Sequence, residues 1–505
     1  MRGLPRRELL AALSGVLLAL SFPKFGRGFV AWIAIAPLLI SLHGVSGARA
    51  FRLGYVTGAV SSLGLLYWTS SVVVAYGGLS LPVGIGVMGL LCLAVALFPS
   101  LFAWLVGRWL AAFGPVALLI SPVAWVGTEI LRAHTLFRFP WCLLGYSQQA
   151  NLPLIQVARY TAVYGVSFFV AAASGVLAYL ALERSAPRRH AAGLALAAIL
   201  GAVWLDGSAQ LSRPVGAAGQ VRLGLVQASI LQEEKWDEAK GAENVARHEA
   251  LTVQAANQGA RLVIWPESSV PFYFDRTPEL ADELRGLARR YETYLLFGND
   301  DREDAAGSYK VWVGAKMLTP AGELSYRYHK IRLVPFGEYV PMQRLLTFGG
   351  RVAAKLVQQV ADFTPGDEYS VAEVDGHKLA ATICYEAIFP DLLRQFPERG
   401  AELLVNVTND GWYGRSSAPY QHFAMAVFRA VENGRYLVRA ANTGITAVVD
   451  PRGRVLARTQ LFERTVLVRD VPFVRDLTFY ARHGDVFAWS CLAAACALTL
   501  AARPR

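Results

Sequence analysis

The feature that most constrains this chain is a succession of apolar runs separated by short basic loops, a pattern suited to a bilayer core rather than to water. Apolar runs at about 8–22, 28–44, 51–75, 82–107, 115–132, 162–183 and 190–206 follow one another closely, and an isolated run lies at 484–502. Most reach the roughly 20 residues a helix needs to cross hydrocarbon, while the first and seventh are marginal. About eight spans are expected. The first run resembles a signal peptide, yet Phe22-Pro23-Lys24 leads into the second without a small-residue cleavage site, so a retained helical hairpin is expected. At 505 residues, 54% hydrophobic and only 17% charged, the chain is too apolar for an ordinary soluble protein and too long for one domain.

The net charge of +11 is largely a topology signal. Arg2, Arg6, Arg7, Arg49, Arg52, Arg108, Arg184, Arg188, Arg189, Arg503 and Arg505 sit at the chain ends or in short loops, and against Glu8 and Glu183 they account for +9 of it. Cytoplasmic loops carry such an excess. Both termini are therefore expected inside, with residues 76–81, 133–161 and 207–483 outside. Lys24 and Arg27, in the first outside loop, run against this pattern. Charge placed this way argues against nucleic-acid binding. Of the five cysteines, Cys92, Cys142, Cys491 and Cys496 lie in or beside apolar segments, which leaves Cys384 as a lone thiol in the polar part. A disulfide framework is excluded there. The eight histidines form no H-x-H or H-E-x-x-H pair, so no metal site is expected.

The organisation expected is a membrane domain over 1–206 with about seven transmembrane helices, a linker over 207–220, a polar domain over 221–475 and a final transmembrane helix at 484–502. Within the polar domain, β-branched runs (Arg222–Gln227, Leu262–Trp265, Leu295–Gly298, Trp312–Leu318, Leu379–Cys384, Leu403–Val407 and Leu437–Val449) alternate with helical patterns at 238–257, 278–291 and 419–433. That is an α/β layout with a largely buried sheet. In such sheets ligands gather at the carboxyl ends of the strands.

Three of those ends carry chemistry. Leu262-Val263-Ile264-Trp265-Pro266-Glu267 ends in a carboxylate, Tyr328-His329-Lys330 in an ammonium, and Ala380-Ala381-Thr382-Ile383-Cys384 in a thiol. Taken singly, each has an ordinary explanation: a solvated turn acid, a surface lysine, a small core cysteine. Together they form an acyl-transfer set. A thiol near its reference pKa of about 8.5 needs a base or a cation to become nucleophilic. Glu267 can take the proton, and Lys330 can favour thiolate and stabilise the oxyanion formed at an attacked carbonyl. No G-x-S-x-G elbow offers a serine instead.

These residues resemble the nitrilase superfamily, whose Glu-Lys-Cys triad sits on an αββα sandwich. Trp-Pro-Glu-Ser at 265–268, Lys330 with Leu-Val-Pro-Phe-Gly-Glu at 333–338, and Cys-Tyr-Glu at 384–386 are similar, more narrowly, to its membrane-embedded branch, the apolipoprotein N-acyltransferases. The resemblance implies a polytopic α-helical membrane domain joined to a nitrilase-like sandwich, with Glu267 as general base, Lys330 as oxyanion-stabilising cation and Cys384 as nucleophile. It implies supporting roles for Glu338, Tyr385 and Glu386, and no cofactor. Trp236 matches an aromatic near the family's acyl-chain entrance, and Asn409-Asp410-Gly411-Trp412 and Asn442-Thr443-Gly444 fit loops around the site.

The implied reaction is ping-pong. Cys384 takes an acyl chain from the sn-1 ester of a phospholipid, typically phosphatidylethanolamine, and passes it as a thioester to the α-amine of a diacylglyceryl-cysteine lipoprotein. The implied location is a bacterial inner membrane, multi-pass, with the catalytic domain periplasmic. Two stretches could meet lipid. Phe139-Pro140-Trp141 reads either as an interfacial aromatic belt or as a substrate-facing wall containing Trp141. The run from Pro341 to Phe363, with Leu345 and Phe348 at helical spacing beside Arg351 and Lys355, reads as a packed helix or as a lid or arm on the outer leaflet. Two competing readings are a membrane-anchored amidase acting on soluble substrates and a transporter with an accessory domain. The latter requires ionisable residues within the spans, and Glu129 and Arg132 are the main candidates.

Overall fold

The computed structural model describes residues 4–135, 138–235, 237–305, 308–340 and 362–502. The chain divides into two compact units: a helical one of Met1–Arg213, Ser416–Phe428 and His483–Arg505, and an α/β one of Pro214–Arg415 and Arg429–Arg482.

In the helical unit, Leu81–His134, Val163–Leu182 and Ala186–Ser212 are long and apolar enough to cross a membrane, and Gly47–Leu66 with Trp68–Gly77, bent by 53°, makes a fourth if counted as one span. Gly28–Ser41 and Val486–Ala501 are shorter apolar helical stretches. The expected second span is broken at Ile35, just before Pro37 in the first turn of the next helical piece, because proline lacks the amide that would continue the ladder. Small residues let the helices approach closely: Gly54 lies on Pro99 and Ser100, and Gly58 on Ala96. Leu194 and Leu205 of Ala186–Ser212 are 71% and 72% exposed, a surface suited to lipid.

The connection expected over 207–220 is shorter than that. Helix Ala186–Ser212 runs into it from one side and the first strand starts at Gly219 on the other. Ser416–Phe428, expected in the polar domain, groups with the helical unit. Gln421 Nε2 donates to the Pro23 and Leu65 carbonyls there, a tertiary tie that periodicity cannot reveal.

The α/β unit contains β1 (Gly219–Gln227), β2 (Leu262–Ile264), β3 (Tyr294–Gly298), β4 (Asp301–Ala305), β5 (Ser308–Trp312), β6 (Gly314–Leu318), β7 (Leu324–His329), β8 (Ala372–Val374), β9 (His377–Ile383), β10 (Leu403–Thr408), β11 (Tyr436–Ala441), β12 (Ala447–Val449), β13 (Val455–Arg458) and β14 (Thr465–Phe473). One sheet has the order β14-β1-β2-β3-β6-β7, the other β13-β12-β11-β10-β9-β8, and β4-β5 is a separate hairpin. The stretch expected as one strand over Leu437–Val449 is two antiparallel strands, because Asn442-Thr443-Gly444 turns the chain. Gly444 is required there, since a Cβ would lie 2.3 Å from Asp410 Oδ2.

Helices Gly241–Asn257 and Pro278–Arg290 bury Val245, Leu251, Leu284 and Ala288 in one core with Val263, Trp265, Leu295 and Phe297 of the first sheet. The second of these helices is well specified locally. It has proline in its first turn with Glu279, Arg289 and Arg290 in its last, and buried residues at 281, 284, 287 and 288 on one face. Every residue of β10 and β11 is buried, as expected for strands covered on both faces.

Strand direction sets the functional edge. β1, β2 and β3 run parallel, and so do β9, β10 and β11. Two successive antiparallel pairings, β3 with β6 and β6 with β7, return β7 to the direction of β3. Glu267 and Lys330 therefore emerge at the same edge of the first sheet, and Cys384, Asn409 and Asn442 at one edge of the second. Gly298, at the end of β3, admits the Glu267 turn: a Cβ there would lie 2.4 Å from the Ser268 amide and 2.6 Å from the Pro266 carbonyl. Gly298→Ala is expected to lower the melting temperature in detergent micelles. A variant that melts like the parent would show that the close packing does not hold this turn.

Candidate active site

Cys384 follows β9 directly and adopts φ +48°. The left-handed region costs roughly 1–2 kcal/mol for a non-glycine residue, so something must hold the chain there. Glu386, with no exposure, does so. Its Oε2 accepts from the Ile383 amide at 2.7 Å, and its Oε1 accepts from the Ile331 and Arg332 amides and the Tyr328 hydroxyl at 2.7, 3.1 and 2.8 Å. One carboxylate thus ties the turn carrying the thiol to the turn carrying Lys330.

Lys330, 1% exposed, places its Nζ 3.3 Å from Glu267 Oε1 and 2.5 Å from Glu338 Oε1. Burial alone would push this ammonium down; the Glu338 and Glu267 carboxylates outweigh it and hold it well above the usual lysine range. Burial, with the charge of Glu267, raises the Glu338 carboxyl despite Lys330. The other oxygen of Glu338 accepts from the Val334 amide at 2.8 Å, and Glu267 Oε2 accepts from the Asn409 amide at 2.8 Å. Both carboxylates are fixed by backbone as well as by lysine.

The Cys384 thiol is pushed well above its ordinary range by burial first and then by Glu267. Lys330 pulls the thiol down, the direction expected of it, but burial and Glu267 outweigh it. Asn406 Nδ2 donates to the Thr382 carbonyl at 3.3 Å under this turn, and Arg439 Nη2 holds Asp410 at 2.9 and 3.1 Å with both side chains fully buried. Tyr385, 4% exposed, stands edge-on to Phe389 at 5.1 Å. Trp412 is half-buried in the turn Asp410–Tyr413.

The sequence reading passed over two ionisable groups here. Lys235, 6% exposed, donates from Nζ to the main-chain carbonyl of Glu267 at 2.7 Å, and burial pushes its ammonium down to about 8. Burial, then repulsion from Glu267, raises the Asp300 carboxyl to about 7. Lys235 lies in a polar stretch with no apolar run leading into it, so strand-end reasoning had no hold on it; Asp300 stands two residues after the expected strand Leu295–Gly298, the signal that could have found it.

Trp141 belongs to the helical unit. It is 2% exposed, donates from Nε1 to Gln421 Oε1 at 2.8 Å, and stacks near Trp68 and His422. It is not a surface belt residue. It lines a cleft of about 670 Å³ with Leu66, Phe98, Trp125, Glu129 and Arg132. Glu129 and Arg132, singled out as ionisable residues in a span, brace the 138–148 loop: Glu129 Oε1 accepts from the Leu144 amide at 2.7 Å and Arg132 Nη2 donates to the Trp141 carbonyl at 3.1 Å. Trp236, Leu345 and Phe348, and with them nearly all of the expected arm, lie outside the described residues.

A family model described as carbon-nitrogen hydrolase matches residues 222–475, and one described as apolipoprotein N-acyltransferase N-terminal domain matches residues 14–176. A Geobacter metallireducens protein named apolipoprotein N-acyltransferase is 44% identical, covering 97% of this chain and 94% of its own. One of the same name from Methylococcus capsulatus is 35% identical over 94% and 92%. Among solved structures, an amidase from Nesterenkonia sp. aligns with 52% of this chain and 95% of its own at 23% identity and a TM-score of 0.39.

Glu386→Ala strands the Ile383, Ile331 and Arg332 amides and the Tyr328 hydroxyl. At roughly 1–3 kcal/mol for each buried group left unpaired, it is expected to destabilise the fold far more than Tyr328→Phe, which removes one donor. Thermal unfolding in micelles compares the two. Equal, small shifts would refute the bracing role of Glu386.

Proposed function

We propose that this chain, which belongs to the apolipoprotein N-acyltransferase family, carries out its acyl transfer through Glu267, Lys330 and Cys384 in the roles of base, oxyanion-stabilising cation and nucleophile. The chain is a cysteine-dependent acyltransferase whose reaction joins an acyl group to a lipoprotein amine. The observation that carries the residue roles is the buried Lys330 between Glu267 and Glu338, on a turn that Glu386 ties to the Cys384 turn.

A neutral thiol is a poor nucleophile, so its proton must leave as it attacks. In the first half-reaction Glu267 takes the proton of Cys384 as Sγ bonds to the carbonyl carbon of a phospholipid ester. The negative charge that develops on the carbonyl oxygen is met by the Lys330 ammonium, already fixed in position and therefore free of reorganisation cost. When the tetrahedral intermediate collapses, the carbon–oxygen bond breaks, Glu267 returns the proton to the departing alkoxide, and lysophospholipid leaves with the acyl chain held as a thioester. In the second half-reaction the α-amine of the diacylglyceryl-cysteine attacks that thioester. Glu267 accepts the amine proton and the thiol is regenerated as the N-acyl product departs. Glu338 holds Lys330 in place, and Tyr385 and Trp412 flank the site.

The donor we propose is phosphatidylethanolamine, cleaved at its sn-1 ester. An acyl chain costs about 0.8 kcal/mol per CH₂ to expose to water, so neither lipid substrate leaves the bilayer cheaply and the enzyme must work at the membrane. The arginine pattern supports eight crossings of a bacterial inner membrane, both termini inside, with residues 214–482 on the periplasmic side. Trp141 and its cleft are candidates for contact with lipid, as are Trp236, Leu345 and Phe348.

Mixing the protein with phosphatidylethanolamine and measuring its intact mass is expected to reveal a gain of one acyl chain, absent in Cys384→Ala and strongly reduced in Glu267→Gln and Lys330→Ala. An adduct in Cys384→Ala would overturn the assignment of the nucleophile. Because a carboxylic acid cannot accept a proton while a carboxylate can, adduct formation is expected to slow on acidification. A rate unchanged on acidification would argue against carboxylate base catalysis.

A further inference from the structure

The one-turn helix Gln232–Lys235 grips the proposed base from two sides. Its two gripping residues are three positions apart and so share a face. Lys235 Nζ donates to the main-chain carbonyl of Glu267 at 2.7 Å, immediately before Ser268 with its φ of +45°. Gln232 Oε1 accepts from Asn409 Nδ2 at 2.8 Å, and the Asn409 amide in turn donates to Glu267 Oε2 at 2.8 Å. A second link runs through Asn442, whose Nδ2 donates to Asn409 Oδ1 at 3.1 Å. Main chain and carboxylate of the same glutamate are thus held by two residues of one short helix.

Lys235 also brings charge. It is buried, and its field reaches Glu267, Asp300 and Cys384, as well as the ring of His248. Lys330 already serves the Glu267 and Glu338 carboxyl groups, and Lys235 adds a second ammonium on the main-chain side of Glu267.

We propose that Lys235 is a positioning residue for the acyl transfer, fixing the Glu267 turn through its main-chain carbonyl so that the carboxylate is aimed at the Cys384 proton. The proposal rests on Glu267 being the base. A conservative side chain at position 235 that still donates to that carbonyl restores the rate, a signature that a packing role lacks.

The test is the rate of acyl-enzyme formation from phosphatidylethanolamine in mixed micelles, followed by intact mass. Lys235→Met is expected to acylate roughly tenfold more slowly or worse, and Lys235→Arg, which keeps a donor for the Glu267 carbonyl, to recover most of the rate. Gln232→Met breaks the Asn409 link without changing charge; it is expected to slow acylation several-fold. A folded Lys235→Met with the parent's rate overturns the proposal, and so does a folded Lys235→Arg as slow as Lys235→Met. If Lys235→Met does not fold, Gln232→Met decides: slowed acylation supports the two-sided grip, and the parent's rate overturns it. Glu267→Gln separates this from the reading beneath it. Full acylation in Glu267→Gln removes the base itself, whereas loss of acylation there beside an unaffected Lys235→Met removes only the role of Lys235.

Discussion

The α/β unit depends on a buried ammonium held between a buried carboxyl group, Glu267, and a half-buried one, Glu338. Removing one partner of such a pair costs about 3–5 kcal/mol, because the charge left behind has no water to turn to. Lys330 stands in that position for Glu267 and Glu338 at once. The arrangement is expensive unless remaining lone pairs are satisfied, and the Val334 and Asn409 amides satisfy one oxygen of each carboxylate. The charge cluster is thereby locked into the backbone of two different loops. It also bears on the nucleophile: burial and the nearby Glu267 hold the Cys384 thiol above its ordinary range, and Lys330 offsets them only in part.

The fold delivers these groups through strand direction. Parallel central strands send their carboxyl ends to one edge, and the double reversal through β6 and β7 brings Lys330 to the edge where Glu267 already stands. Glu386 then joins the Lys330 turn to the Cys384 turn across 55 and 58 residues of sequence. Such long-range ties explain why the site tolerates a left-handed cysteine. A membrane-borne catalyst has a further reason for such rigidity, since its lipid substrates bring flexible chains that the site must align.

Glu267, Lys330 and Cys384, the proposed triad, were legible as candidates because each ends a stretch expected as a strand, and apolar runs are what a buried strand leaves in a sequence. Lys235 lacks that signature and meets Glu267 through one hydrogen bond and through charge. Asp300 follows the expected strand Leu295–Gly298, and that strand end was the available signal. β11 and β12 read as one strand because both are apolar, although Gly444 in the intervening turn, packed on Asp410, was the available signal. The helical unit was legible in its apolar runs; among the described residues three helices, or four with the bent pair, meet the length and composition expected of a span. Breaks such as that before Pro37 depend on packing as well as sequence. The grouping of Ser416–Phe428 with the helical unit rests on tertiary hydrogen bonds of Gln421 that hydropathy does not encode.

The central claim is that Cys384 rests as a neutral thiol and is activated by Glu267 during attack. It is tested most directly by the rate at which iodoacetamide alkylates Cys384, resolved by peptide mass, across about pH 5 to pH 8. The account predicts a rate that falls continuously on acidification, with Glu267→Gln alkylated more slowly than the parent near neutrality. A fast rate that stays level down to about pH 5, as a stable thiolate–ammonium pair would give, would contradict it.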